Sequence, residues 1–324
     1  MTEPFVRPDT RAFLDFLNNV PGPKMHELDA AAARGLYGAL RDVADPPVGE
    51  LGTMLDLAIP GPAGDIPARL FDPRPNREPG PAVVFYHGGG FVIGDLDSHA
   101  SFTAEMARTL DLPVIAIDYR LAPEAPFPAA PDDCEAATRW IAESPSQIGR
   151  AVTSLILCGD SAGGNLAIVT AAALRDAPAK VPVIAHLAFY PATDSSKDYP
   201  SYSEFADGYL LTKASMDWFL DAYKGEVTHI RSSPLLGDLS GMPPAVVVTA
   251  SLDPIRDQGR AYAAALAQAG VPVVFREAKG NIHGFITIRK AIPSSVGDVA
   301  GALAALKDLI VEAEGERVMA QAAE

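Results

Sequence analysis

The sequence predicts an α/β fold, with a mostly parallel central sheet covered by helices on both faces. Short apolar runs alternate with helical stretches over most of the chain. The runs are almost continuously apolar, as strands buried on both faces require. The 324 residues, 48% hydrophobic and 21% charged, have a globular composition. A chain of this length buries roughly three quarters of its unfolded surface, so it needs no disulfide or metal staple.

The first 50 residues read as helical. Phe13, Phe16, Leu17 and Val20 recur at helical spacing, as do Leu28, Ala32, Leu36 and Ala39, with Pro21-Gly22-Pro23 breaking the two apart. Ile66, Ala68 and Leu70 alternate with Pro67, Arg69 and Phe71, a strand pattern. The apolar runs that follow are Ala82–Tyr86, Val114–Ile117, Leu155–Cys158, Val183–Tyr190, Ala245–Thr249 and Val271–Phe275. Helical stretches lie near 98–110, 129–143, 161–175, 256–269 and 297–314. Residues 194–240, rich in aromatic and turn residues, break the rhythm. A long insertion after a strand is often a lid or binding element. Ligands of such sheets bind at the strands' carboxyl ends, so the chemistry is sought just after these runs.

Composition excludes several function classes. The 41 acidic against 26 basic residues give a net charge of −15, which repels phosphate backbones and anionic lipid. No apolar run approaches 18 residues, and the N-terminus lacks a basic region followed by an apolar core. The expectation is a soluble, cytoplasmic protein without nucleic-acid or membrane partners. Cys134 and Cys158 sit among apolar neighbours and read as buried free thiols. His26-Glu27 begins like a zinc motif, but Ala30 stands where the second histidine belongs. No metal or cofactor is expected.

Gly159-Asp160-Ser161-Ala162-Gly163 is the chain's one G-x-S-x-G, and it stands between an apolar run and a helical run. That context makes it a nucleophile elbow, a sharp turn that lifts the serine hydroxyl clear of the backbone. A serine needs a base, and the base an orienting carboxylate. In the chain order such elbows follow, both come after the serine. His26, His87 and His99 precede it, His186 lies in an apolar strand, and His229 is in the insertion. His283, the last histidine, follows the Val271–Phe275 run and is the candidate base. Asp253 follows Ala245–Thr249 and is the candidate carboxylate. Asp257 is the alternative, better suited to the first turn of the next helix. His87-Gly88-Gly89-Gly90 follows Ala82–Tyr86, and its glycines let backbone N–H groups face an oxyanion. It is no dinucleotide fingerprint, since Ile93 occupies the third glycine position.

These motifs, together with Asp118-Tyr119-Arg120-Leu121-Ala122-Pro123-Glu124, Tyr190-Pro191-Ala192-Thr193-Asp194 and Asp253-Pro254-Ile255-Arg256-Asp257, run over nearly the whole length. The chain resembles a bacterial hormone-sensitive-lipase-like carboxylesterase (family IV) of the α/β-hydrolase superfamily. The resemblance implies Ser161 as nucleophile, His283 as base and Asp253 as orienter. It implies oxyanion donors Gly88, Gly89, Gly90 and Ala162, and a substrate pocket that includes Phe91, Tyr209 and Leu210. It implies that Arg120 and Glu124 brace the fold. It also implies a helical cap made of residues 1–45 and 194–230 on a catalytic domain of residues 46–193 and 231–324, and homodimers through the last edge strand. Gln258 departs from the pattern, where an acidic residue is common, and puts only local helix electrostatics in doubt.

The expected activity is hydrolysis of short- to medium-chain acyl esters, small molecules, through an acyl-enzyme. An amide or lactone hydrolase would use the same residues. A non-catalytic binding protein on the same fold is the rival of another class, and the presence of Ser161, Asp253 and His283 together argues against it.

Overall fold

The computed structural model describes residues 3–322. Helices α1 (Pro8–Asn19) and α2 (Ala30–Ala44) come first, separated at the Pro21-Gly22-Pro23 break. The strands follow: β1 (Thr53–Gly61), β2 (Gly64–Asp72), β3 (Gly80–Tyr86), β4 (Val114–Ile117), β5 (Val152–Asp160), β6 (Val183–Phe189), β7 (Ala245–Leu252) and β8 (Val273–Ile282). Between and after them lie α3 (Ala100–Leu110), α4 (Ala129–Ala142), α5 (Ala162–Asp176), α6 (Pro200–Glu204), α7 (Lys213–Tyr223), α8 (Arg256–Gln268) and α9 (Ser295–Ala322).

These strands form one sheet in the order β1-β2-β4-β3-β5-β6-β7-β8. β1 and β2 pair antiparallel, as do β2 and β4, and every pairing from β4 to β8 is parallel. The pleat sends alternate residues to opposite faces. Val84, Tyr86, Leu155, Leu157 and Val247 pack with Ala137, Leu166, Ile168 and Tyr262 of α4, α5 and α8. Val83, Phe85, Ile156, Cys158 and Val248 pack with Phe102, Met106, Leu303 and Leu306 of α3 and α9. Both faces are therefore covered, which explains the unbroken apolar runs of the central strands.

Two strands differ from the sequence reading. β1, not anticipated, is an edge strand with Met54 and Leu55 exposed, so burial imposes little pattern on it. β8 runs seven residues past Phe275, through Arg276–Lys279 and on to Gly280, Asn281 and Ile282, so His283 follows the strand directly. It too is an edge, and only Ala278 and the last three residues, Gly280 to Ile282, are buried.

The N-terminal helices are fastened to the sheet domain by ion pairs. Arg7 grips Asp298 with two bonds of 2.6 and 2.9 Å. Arg34 on α2 grips Glu124 at 2.8 and 2.6 Å and reaches the carbonyls of Val92 and Ala122. Asp45 and Arg289 form a buried pair at 3.0 and 2.9 Å. Phe13 and Leu14 of α1 share an apolar cluster with Phe205, Tyr209 and Leu210 of the insertion, and Asn18 donates to the Gly208 carbonyl at 3.2 Å. The N-terminal segment and the insertion between β6 and β7 thus meet above the strands' carboxyl ends. Among the described residues no helix is long and apolar enough to cross a membrane. Cys134 and Cys158 are free and buried.

Candidate active site

Ser161 stands at the turn between β5 and α5 with φ 54° and ψ −117°. A non-glycine residue in this region is strained and persists only where its surroundings hold it. Its N–H donates to Phe189 O at 2.8 Å, and its carbonyl accepts from Asn165 at 3.1 Å and Ala192 at 3.2 Å. The flanking glycines are required by contact. A Cβ on Gly159 would lie 2.1 Å from Gly163 O, and one on Gly163 would lie 2.0 Å from Tyr86 O.

The structure brings the three candidate residues into one chain of hydrogen bonds. His283 Nε2 is 2.9 Å from Ser161 Oγ, and His283 Nδ1 is 2.8 Å from Asp253 Oδ2. Asp253 is fully buried, and its Oδ1 accepts the Ile255 N–H at 2.9 Å. That bond fixes the carboxylate plane, and the carboxylate fixes the imidazole. Asp257 lies elsewhere, in the first turn of α8, held by Arg256, Arg260 and the Ser201 N–H. These partners lower its pKa against the effect of its partial burial. His186 is buried against Tyr262 at 3.0 Å, and burial pushes its pKa down to about 4. It is a core residue, as its strand position indicated.

The glycine loop needs one correction. The Gly88 N–H donates to Asp160 Oδ1 at 2.8 Å and is therefore not free to hold an oxyanion. The Gly89 and Gly90 N–H groups have no partner among the described residues, and both glycines adopt positive φ, 122° and 59°. Ala162, at the first position of α5, has an N–H outside the helix's own bonding. The loop is braced behind by His87, stacked on Tyr119 at 4.4 Å, with the Tyr119 hydroxyl donating to His87 O at 2.6 Å. Arg120 holds Asp133 with paired bonds of 2.8 and 2.7 Å, and Glu124 ties down α2, so both are bracing residues. The bonds from Arg34 hold the Glu124 carboxyl down at about 2.

Ser161 and His283 open into a cavity of about 1200 Å³. Phe91 and Leu210 line it. Tyr209 does not: its ring packs edge-on against Phe205, 5.1 Å away. Phe16, Val20 and Leu36, spaced like a core stripe, are instead exposed and form cavity wall. Tyr37, Met25 and Phe219 also line it, without any motif in the sequence to mark them. Helical periodicity identifies an apolar face without saying whether it meets core or cavity. Gln258 does more than bear on local helix electrostatics. Its side chain is 1% exposed, accepts the Thr193 and Asp194 N–H groups at 2.5 and 2.8 Å, and donates to Tyr202 Oη at 2.8 Å. It joins three segments at the cavity wall, which is more than a local helix effect. Among the described residues no three His, Cys, Asp or Glu side chains are grouped to hold a metal ion.

A strained serine elbow at the crest of a mostly parallel sheet, with histidine and aspartate delivered by the last two strands, defines a class. The chain belongs to the family described as alpha/beta hydrolase fold, which it matches over residues 83–287, and within it to the hormone-sensitive-lipase-like group. Esterase LipI of Mycobacterium tuberculosis is 39% identical over 275 residues, 83% of this chain and 86% of that protein. Carboxylic ester hydrolase LipN of the same organism is 43% identical over 243 residues, 72% of this chain and 64% of that protein. A solved ester-hydrolase from the metagenome of Lake Arreo, in complex with a bipyridine phosphonate derivative, superposes with a TM-score of 0.88. It is 38% identical, with 94% of this chain and 98% of that chain covered.

Proposed function

We propose that this protein is a serine carboxylesterase acting on small esters with short to medium acyl chains. The observation that carries the reading is the relay from Ser161 Oγ through His283 to Asp253, at 2.9 and 2.8 Å. Ser161 Oγ attacks the ester carbonyl while His283 Nε2 takes its proton. Asp253 keeps the Nδ1 proton in place and stabilises the imidazolium. Charge developing on the carbonyl oxygen is met by the N–H groups of Gly89, Gly90 and Ala162, already oriented before reaction. His283 then protonates the departing alcohol, and water activated by the same nitrogen releases the acid from Ser161.

The segments 1–45 and 194–230 act as the cap in this reading. Burial of each methylene adds about 0.8 kcal/mol of binding, so rates rise with acyl length until the chain meets Tyr37, Leu210 and Phe219. Past that point packed side chains must move, at about 1–3 kcal/mol. The two free thiols suit a reducing compartment such as the cytoplasm, and the outer edge of β8 is the surface proposed for a homodimer. Stopped-flow mixing with a nitrophenyl ester tests the mechanism: wild type should turn over and Ser161→Ala should not. In a comparable serine hydrolase the nucleophile is worth about 10⁶ in kcat. A variant retaining a tenth of the wild-type rate would remove Ser161 from its role.

A further inference from the structure

The cavity is largely apolar, but the wall after β6 is not. Ser195, Ser196, Lys197, Asp198, Tyr202 and Gln258 form it. The Gln258 amide has an unambiguous orientation. Its oxygen accepts two backbone N–H groups, from Thr193 and Asp194, so its nitrogen is the atom that faces Tyr202. The Tyr202 oxygen therefore accepts a bond from Gln258 at 2.8 Å. Its own proton has only a long contact, to Asp194 O at 3.4 Å. A carboxylate at position 258 would instead capture that proton. Burial, with Asp194, Asp198 and Asp253 nearby, raises the Tyr202 pKa, so the hydroxyl keeps its proton at working pH.

Sheet order puts this wall on one side of Ser161. β5 delivers Ser161, β3 the glycine loop on one flank, and β6, β7 and β8 the polar wall, Asp253 and His283 on the other. The departing alcohol takes its proton from His283, so it leaves on that flank. We propose that Tyr202, polarised by Gln258, donates a hydrogen bond to a second oxygen in the alcohol part of the substrate. The preferred substrates are then esters of ether- or hydroxyl-bearing alcohols, not of plain alkanols. Tyr202 is the binding group and Gln258 its positioning residue. The inference rests on the esterase reading above.

The test compares 2-methoxyethyl butyrate with butyl butyrate, which have equal numbers of heavy atoms. The measured quantity is the ratio of their kcat/KM values, divided by the ratio of their hydroxide-catalysed rates. Wild type should show an excess of about 3- to 10-fold, the worth of one net hydrogen bond. Tyr202→Phe and Gln258→Glu should both bring it close to one, with unfolding midpoints confirming folded protein. The isosteric glutamate preserves packing while redirecting the tyrosine proton, a change that a merely structural role for Gln258 does not predict. No excess in wild type, or an excess that survives Tyr202→Phe, overturns the proposal. An excess found only when the ether oxygen is moved into the acyl chain, as in butyl methoxyacetate, overturns the assignment to the alcohol side. If wild type hydrolyses neither ester and takes no phosphonate, the esterase reading itself fails.

Discussion

Asp160 accepts the Gly88 N–H at 2.8 Å, one residue before the serine whose oxyanion loop it holds. A Cβ on Gly88 would lie 2.3 Å from the Asp160 carboxylate, so the two are in direct contact. The elbow thus pins the loop from β3, while Gly89 and Gly90 line the cavity with N–H groups that have no partner among the described residues. Asp160→Ala should release the Gly88 peptide and lower kcat by roughly 10²-fold, the scale of losing one oxyanion donor. Asp160→Asn keeps an acceptor and should retain most of the rate. Equal activity in Asp160→Ala and wild type would show that the loop holds itself.

Asp253→Asn should fold normally and lose about 10⁴-fold in kcat, because asparagine favours the wrong histidine tautomer. Asp257→Asn should stay close to the wild-type rate, since its carboxylate faces Arg256 and Arg260, not His283. Steady-state rates of the two variants on one ester decide it. A crippled Asp257→Asn beside an active Asp253→Asn would reverse the assignment.

His186 gives stability a definite pH dependence. Its pKa is about 4 when folded, against 6.5 in the unfolded chain. Between these values the unfolded state binds the proton and the native state does not, so stability falls as pH drops from about 6.5 to about 4. The loss through this group is up to about 3 kcal/mol. His186→Leu should be less stable at pH 7, with the Tyr262 hydroxyl left unpaired at roughly 1–3 kcal/mol. Its stability should also decline less between pH 6.5 and 4. Urea unfolding at both pH values measures this, and parallel declines in the two proteins would refute it.

Much of this site was legible because its residues sit where the chain's periodicity changes. Ser161, Asp253 and His283 each follow an apolar run, and the structure places them within hydrogen-bond reach of one another. What escaped the sequence depends on contacts between distant segments. Nothing local to Gly88 reveals that Asp160, 72 residues on, consumes its N–H. Gln258 is legible as a helix residue, but its partners Thr193 and Tyr202 come from the β6 exit and the insertion. β1 escaped because an exposed edge places little demand on side-chain pattern, although Leu55, Leu57 and Ile59 alternate ahead of the turn at Pro60-Gly61. Tyr209 was misplaced because an aromatic residue in an insertion suits a cap core as well as a pocket wall.

Activity on a graded series of nitrophenyl esters should peak at short to medium acyl chains. Emulsified long-chain triglycerides should be turned over poorly. Phe219 packs directly over the glycine loop: a Cβ on Gly90 would lie 2.3 Å from its ring. Phe219→Ala should therefore move the optimum towards longer chains. An unchanged optimum in that variant would mean that another wall sets the limit.

In the proposed reaction Ser161 becomes acylated while His283 and Asp253 drive the transfer. Intact-protein mass spectrometry after treatment with an alkyl phosphonate ester tests it most directly, with peptide mapping of the product. Wild type should carry a single adduct, on the peptide containing Ser161, and in His283→Ala that adduct should form roughly a thousand-fold more slowly or worse, on the order expected for loss of a triad member. Labelling at any other residue, or undiminished labelling in His283→Ala, would contradict it.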